Sequence, residues 1–291
     1  MSDVQHPGLS NWGRWGENDQ RGSLNLITPD IVRLAAGLVS TGKVYSLSMP
    51  LETEGPQWPA RHKTWKVTSH RSVGTAKPGA ADDIVTMHSH SGTHIDALSH
   101  YFYDSHLYNG YKTLDHVASQ GITRNSIDNV PALVGRGVLL DIAAWKGVDN
   151  LPIGTAVTAA DLDACAAAQG VEIRSGDILL VRTGWIRMFE QDRTVYDSGE
   201  PGIDASTLPW LQAHDIVAVG ADNAAVEVFP EYPPTKLPVH ESAIRDLGIY
   251  LMENFNLEAL SADKVYECLL VIAPLQLTGG AGSPINPIAI G

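Results

Sequence analysis

Four side chains that can bind a metal ion stand within eleven consecutive residues and share one parity. They are His90, His94, Asp96 and His100. In an extended chain, side chains two positions apart point to the same face, so a strand would present all four together. A helix would bring the first two together but turn the carboxylate away from both. Gly92 is also a poor residue for a helix interior, so we predict a strand or an extended loop here.

Imidazole nitrogens and a carboxylate are the ligands that Zn, Mn and Fe accept, and no thiolate stands nearby. The spacing therefore predicts a metal site. The alternative, a set of surface histidines beside a turn, would be the better interpretation of a lone H-x-x-x-H pair. His88 shares the parity and could compete as a ligand, since spacing alone does not exclude it.

A second pair of candidates, His240 and Glu253, lies near the C-terminus. His240 begins a predicted helix that ends at Gly248, and Glu253 closes an apolar, strand-like run. Taken singly, each has an ordinary explanation, as a helix-start histidine and a solvated glutamate. The H-E-x-x-H zincin motif fails here because position 244 is isoleucine.

Two helices and several strands must position these side chains. Thr28-Pro29 predicts a helix that ends near Gly42, and Thr158 with Asp161 predicts a capped helix that stops at Gly170. A strand is expected where Tyr45, Leu47 and Met49 alternate with other residues. Further apolar runs predict buried strands at 138–142, 177–183, 215–220 and 268–273. Strands that alternate with helices indicate the α/β class.

Three further segments are predicted to be irregular. Residues 51–82 and 186–205 read as long loops, which in a compact protein usually line a site or an interface. The glycine-rich stretch at 279–284 reads as a turn, because it lacks the strand–glycine–helix context of a dinucleotide fingerprint.

The charge balance and the cysteine count exclude several classes of partner. The 20 Lys and Arg against 33 Asp and Glu give a net charge of −13, so we expect neither nucleic acid nor a membrane as partner. Cys165 and Cys268 lie far apart and form no motif, which favours a reducing cytoplasm and a site without thiolates.

The segment from His90 to His100, HSGTHIDALSH, resembles the H-x-G-T-H-x-D-x-P-x-H signature of the metal-dependent cyclase-like hydrolases. That family includes bacterial kynurenine formamidase, isatin hydrolase and a trans-dienelactone hydrolase. Leu98 replaces the usual proline and leaves every ligand position in place. Similar stretches at 11–25, 181–185, 220–228 and 279–290 extend the resemblance over nearly the whole chain.

The resemblance implies roles for six residues. His90, His94 and Asp96 match metal ligands, His100 matches the catalytic histidine, and His240 with Glu253 matches ligands of a second metal position. The gap of 13 positions between the last two is one residue longer than in the short formamidases, so both a one-metal and a two-metal site, with Mn or Zn, stay open.

The resemblance also implies a single α/β domain over residues 1–291 with a swivelling β/β/α fold. The family forms homodimers or homotetramers, in which an N-terminal arm, here 1–27, reaches a neighbouring subunit. A small-molecule substrate is the expected partner.

The function expected from these residues is hydrolysis of an amide or lactam C–N bond by metal-activated water. A metal with an open position lowers the pKa of water toward ~7, and a histidine such as His100 can carry the proton. A lactone hydrolase on the same site and a non-catalytic metal-binding protein are the alternatives. Trp15, Trp65 and Phe102 are candidates for contact with a cyclic or aromatic substrate. Residues 61–63, Arg-His-Lys, offer a cationic anchor for a substrate carboxylate, or only a solvated surface.

Overall fold

The computed structural model describes residues 8–291, which form fifteen strands and nine α-helices. The strands are β1 (Val44–Ser46), β2 (Trp65–Arg71), β3 (Ala80–Thr86), β4 (His94–Asp96), β5 (Val117–Ala118), β6 (Gly121–Ile122), β7 (Leu133–Asp141), β8 (Ala156–Val157), β9 (Ile178–Arg182), β10 (Gly202–Ile203), β11 (Ala218–Ala221), β12 (Tyr250–Glu253), β13 (Glu267–Ile272), β14 (Gly282–Pro284) and β15 (Ile288–Ile290). The α-helices are α1 (Pro29–Ala36), α2 (Thr113–His116), α3 (Ile142–Trp145), α4 (Ala159–Gln169), α5 (Ile186–Gln191), α6 (Arg193–Tyr196), α7 (Thr207–Ala213), α8 (Pro238–His240) and α9 (Glu258–Asp263). A π-helix (Glu241–Leu247) continues α8, and 3-10 helices occupy Gly22–Leu26, Tyr108–Gly110 and Ile127–Asn129.

Nine of the strands form one mixed sheet in the order β1-β15-β13-β7-β9-β11-β12-β4-β14. The four strands β7, β9, β11 and β12 are parallel, and those outside them pair antiparallel. All five residues of β9 and all four of β11 are buried, as expected for parallel strands covered on both faces. The predicted α/β class is confirmed.

Two of the predicted helix starts have the expected hydrogen bonds. The Thr28 side chain accepts a hydrogen bond from the Ile31 N–H, and Thr158 with Asp161 forms a complete capping box. The helix after Thr158 ends at Gly170, whose φ of 71° is left-handed, as predicted. The first helix ends at Ala36, six residues before Gly42, because Gly37 caps it.

The three segments predicted to be irregular contain regular structure. Residues 51–82 include β2 and the start of β3, which form a hairpin with every residue exposed. Residues 186–205 contain two short helices and β10. The stretch at 279–284 turns at Gly279 but then forms β14 at the edge of the large sheet.

The described part of the predicted N-terminal arm packs on its own chain. The Asn11 N–H donates to the Asp246 carbonyl, and the Trp12 indole Nε1–H donates to the Arg245 carbonyl at 2.6 Å. Further along, the Ser23 N–H donates to the carbonyl of Gly248. Contact with a neighbouring subunit stays a prediction. Within residues 8–291, no helix combines the length and the apolar character that crossing a membrane requires.

Candidate metal centre

The candidate site lies at the edge of the large sheet, where β4 runs between β12 and β14. The register places Glu253 of β12 opposite His94 and Gly282 of β14 opposite Asp96. Because side chains alternate along a strand, His94 and Asp96 share one face of β4. The predicted strand is therefore observed for His94 to Asp96. His90 lies in a turn before it and His100 follows a turn after it, so these two side chains reach the site from outside the strand.

Asp96 stands at the centre of the site, and four histidines surround it. Its Oδ1 lies 3.4 Å from His90 Nε2, 3.8 Å from His94 Nε2 and 4.0 Å from His100 Nε2. Its Oδ2 lies 3.7 Å from His240 Nε2. The fold thus brings together residues that are up to 150 positions apart in the sequence, 90 to 240.

Glu253 completes the group from the neighbouring strand. Its Oε2 lies 2.9 Å from His94 Nε2, and its Oε1 lies 3.1 Å from His240 Nε2. All six residues expected from the sequence therefore meet at one place. Their individual roles as ligands or catalyst stay predictions.

The Asp96 carboxylate shows that these residues fit a metal ion. Its side chain is fully buried (0% exposed), and neither of its oxygens has a hydrogen-bond partner among the described residues. An ionised carboxylate buried without such partners is costly unless a cation compensates it. The surrounding imidazole and carboxylate donors match the preferences of Zn and Mn.

Five of the six residues form two groups of donor atoms, each within 4.8 Å, that share the central carboxylate, and His94 belongs to neither group. One group contains His90, Asp96 and His100, and the other contains Asp96, His240 and Glu253. This arrangement could hold one ion or two. His100 could therefore bind the metal itself or act as the catalytic histidine next to it, and a direct test must distinguish these two roles.

Three hydrogen bonds orient the histidine rings so that each Nε2 faces the centre. His94 Nδ1 lies 2.9 Å from the Gly92 carbonyl, His90 Nδ1 lies 3.0 Å from Ser89 Oγ, and His240 Nδ1 lies 2.6 Å from Glu227 Oε1. Such outer partners fix the tautomer of a ligand histidine. Glu227 was not predicted as a site residue, because a single glutamate 13 positions before His240 shows no spacing relation to the cluster.

The electrostatics of the site favour a positive charge between the carboxylates. Burial opposes charge on His94, but the facing Glu253 carboxylate outweighs it and raises the pKa of His94. Burial also lowers the pKa of His240. The Glu227 and Glu253 carboxylates outweigh this effect and raise the pKa of His240 well above its usual value. The same two histidines outweigh burial at Glu253 and lower its pKa. A bound metal would replace these protons.

The pKa values of the two remaining histidines, His90 and His100, are lowered instead of raised. Burial lowers the pKa of His90 well below its usual value, and the adjacent His100 adds to this effect. Burial also lowers the pKa of His100, against the opposing influence of Asp96. The two rings are stacked with their centroids 3.9 Å apart. Both are therefore neutral at pH 7 and available as ligands or proton acceptors.

Gly282 makes room for one of these rings. A Cβ atom at this position would lie 2.5 Å from His90 Nε2 and 2.8 Å from the Ile95 carbonyl oxygen. No larger residue fits without moving either the ring or the strand. The stretch at 279–284, predicted to be a turn, therefore contributes to the site, because its strand β14 passes beneath the His90 ring.

The aromatic substrate candidates lie in varied surroundings. Trp65 begins the exposed hairpin, Phe102 is exposed, and Trp15 is half-buried beneath the Arg14 guanidinium. Tyr101, which was not predicted, has its ring 5.7 Å from that of His240. Its position directly after His100 was the available signal. His88, the competing ligand candidate, is exposed and stacks on His62.

Comparison with known proteins gives one family match and several relatives. The family model named Cyclase matches residues 45–228. An isatin hydrolase of Roseibium aggregatum is 26% identical over 234 residues, which cover 77% of this chain and 79% of the relative. A kynurenine formamidase of Bacillus cereus is 24% identical over 255 residues, which cover 86% of this chain and 98% of the relative.

A solved structure matches the whole fold. The crystal structure of a protein described as a novel cyclase has a TM-score of 0.89 and 37% sequence identity to this chain. The match covers 97% of this chain and 100% of that one.

Proposed function

Because the chain belongs to the Cyclase family, whose model spans residues 45–228, we propose that it is a metal-dependent hydrolase that opens an amide or lactam C–N bond in a small cyclic or aromatic substrate. The resemblance of the His90–His100 segment to this family is confirmed. The prediction that the chain is a hydrolase is also confirmed, since its relatives include an isatin hydrolase and kynurenine formamidases. The observation that carries the metal proposal is the buried Asp96 carboxylate, which has no hydrogen-bond partner among residues 8–291 and lies among four Nε2 atoms.

The names of the relatives support C–N bonds as the target. Isatin is a lactam and a formamidase acts on a formamide, so both relatives act at a carbonyl bonded to nitrogen. No observation on this chain favours the lactone alternative.

The chemistry that a bound divalent cation supplies is Lewis-acid activation of water and of the substrate carbonyl. His90, His94 and Asp96 would hold it, with His240 and Glu253 as the ligands that complete a second position around the shared Asp96 carboxylate. Their burial keeps bulk water away, which strengthens every electrostatic interaction with the reacting group.

We assign the proton transfers to His100. Its side chain is the most exposed of the six, at 23%, so it faces the side from which a substrate can enter. Its lowered pKa leaves it neutral at pH 7, able to accept a proton from the attacking water. The same Nε2 then returns that proton to the leaving nitrogen, which departs poorly as an anion.

We also propose a homodimer or homotetramer in the cytoplasm that uses manganese or zinc. The donor set, which contains no sulfur, supports both metals. The two cysteines are free and buried, in keeping with a reducing compartment. Light scattering and metal analysis of the purified protein test these points.

The decisive experiment measures hydrolysis before and after removal of the metal. The protein is stripped with a chelator, reloaded with Mn²⁺ or Zn²⁺, and assayed on formanilide, isatin and the lactone dihydrocoumarin. We expect the protein to hydrolyse formanilide or isatin. This activity should disappear when the metal is removed and return when the metal is added back. The variant His70→Ala, on the exposed strand β2, serves as a control for loss of a histidine.

Two results would contradict the proposal. Hydrolysis that persists in protein shown to be metal-free would exclude a metal-dependent mechanism. Tight metal binding without turnover of any of the three substrates would favour the non-catalytic alternative.

A further inference from the structure

One short segment before the hairpin is tied directly to the metal-ligand segment. Gln57 forms a β-bridge with Ser91, whose Oγ donates to Gln57 Oε1 at 3.0 Å. Four residues further on, Arg61 Nη1 donates to the carbonyl oxygen of His90 at 2.6 Å. These contacts hold the Arg61 guanidinium over the backbone of the first predicted metal ligand.

The structure separates the three basic residues at 61–63, which the sequence left equivalent. Lys63 is 63% exposed and forms an ion pair with Glu54, so it faces solvent. His62 is exposed and stacks on His88. Arg61 alone of the three is half-buried and contacts the site.

Most N–H donors of the Arg61 guanidinium have no hydrogen-bond partner among the described residues. An arginine carries five N–H hydrogens, and the described residues occupy one of them, in the bond to the His90 carbonyl. No carboxylate among residues 8–291 forms an ion pair with it, in contrast to Arg136, Arg182 and Arg193. Its free edge can therefore accept a planar anion.

The charge of Arg61 reaches the site. Its Nη1 lies 2.6 Å from the carbonyl oxygen of His90, so its positive charge lies beside the first predicted metal ligand. A fixed cation beside a metal site repels the metal ion, which is a cost unless an anion lies between them. The net charge of −13 repels anions from the protein as a whole, so an anionic substrate needs such a local anchor.

We propose that Arg61 binds a carboxylate group of the substrate, and so gives the enzyme a preference for amides or lactams that carry a carboxylate near the scissile bond. The planar fork of a guanidinium matches a carboxylate through two parallel hydrogen bonds. This inference rests on the proposed function, because it assigns the substrate class of the same site. Arg61 acts as a specificity-determining residue and takes no part in the proton transfers.

The test compares substrates that differ only in the carboxylate. Formanilide and the 2-, 3- and 4-formamidobenzoates share one formamide, and the three isomers vary the distance from the carboxylate to the scissile bond. We expect at least one isomer to exceed formanilide in kcat/KM with the wild-type enzyme. Arg61→Gln should lower kcat/KM for that isomer roughly ten- to a hundred-fold more than for formanilide, the effect of a hydrogen bond to a charged group.

Two further variants separate recognition from support of the loop. Arg61→Lys keeps the charge but loses the fork, so its preference for the carboxylate should be intermediate. Lys63→Gln, two residues away and paired with Glu54, should match the wild type. Calorimetric binding of benzoate and benzamide to the metal-stripped protein gives a readout without catalysis, in which Arg61→Gln should weaken benzoate alone.

The outcomes distinguish this inference from the proposed function. Equal losses on formanilide and on the favoured isomer would show that Arg61 only supports the loop or the oxyanion, and would overturn the inference. A wild type without preference for any carboxylate would overturn it as well. If no formamide is hydrolysed but benzoate binding still depends on Arg61, the anchor stands and the reaction class is wrong.

Discussion

Replacing Glu227 with glutamine should weaken metal binding at the group formed by Asp96, His240 and Glu253. The buried Glu227 carboxylate accepts three hydrogen bonds, from His240 Nδ1 at 2.6 Å, the His240 N–H at 2.9 Å and the Val239 N–H at 3.0 Å. With the proton fixed on Nδ1, the Nε2 lone pair of His240 faces Asp96 and Glu253, as a metal ligand must.

The magnitude follows from what a glutamine can offer. If its amide NH₂ group faces Nδ1, the His240 proton moves to Nε2 and the ligand lone pair is lost. If its oxygen faces Nδ1, a backbone N–H of the helix start loses its acceptor, at about 1–3 kcal/mol of stability. Loss of an outer partner typically lowers metal affinity about 10- to 100-fold, which corresponds to roughly 1.4–2.7 kcal/mol.

The assay is calorimetric titration of metal-stripped protein with Mn²⁺ or Zn²⁺, combined with denaturant unfolding. Asp222→Asn is the matched control, since this equally buried carboxylate accepts three hydrogen bonds from Thr183 and Gly184 and contacts no predicted ligand. The control should lose stability and keep its metal affinity. An affinity of Glu227→Gln within twofold of wild type, or an equal loss in the control, would refute the reasoning.

Two further substitutions test the site. His100→Asn should lower kcat about 10²- to 10⁴-fold, because asparagine cannot carry the proton; steady-state kinetics with metal analysis check this, and loss of metal along with activity would make His100 a ligand instead. Gly282→Ala should displace the His90 ring and destabilise the fold by about 1–3 kcal/mol, measured by unfolding and metal titration. Gly135→Ala serves as the control for Gly282→Ala, because its Cβ would lie 3.7 Å from Ile178, an ordinary contact. Equal effects in both variants would show that the His90 ring does not depend on the absence of a side chain at Gly282.

The local part of the site could be predicted from the sequence because it depends on alternation along one strand. His94 and Asp96 share a face of β4 whatever surrounds the strand, and the capped helix after Thr158 is equally local. His240 and Glu253 are different. Glu253 reaches Asp96 because β12 and β4 are neighbours in the sheet, and His240 reaches it from α8. Neither strand order nor the placement of a helix can be read from spacing. The family resemblance supplied what the residues alone left open.

The elements that were missed lack the pattern on which such predictions depend. The hairpin of β2 and β3 is exposed on both faces, and its alternation of apolar and polar residues is confined to the four residues 65–68. Glu227 contacts a residue 13 positions away, and Arg61, which the sequence offered as an anchor without separating it from His62 and Lys63, contacts one 29 positions away. Single charged residues of this kind resemble solvated surface until the fold shows what they touch.

The segment between His240 and Glu253 shows why a change in spacing need not remove a ligand. The gap of 13 positions is one residue longer than in the short formamidases, which left a second metal position open. The structure places the π-helix Glu241–Leu247 in this gap. A π-helical turn takes up an additional residue relative to an α-helical one and often lies at a functional site. Across this gap, His240 Nε2 lies 3.1 Å from Glu253 Oε1. The longer gap is thus no argument against a second ligand group.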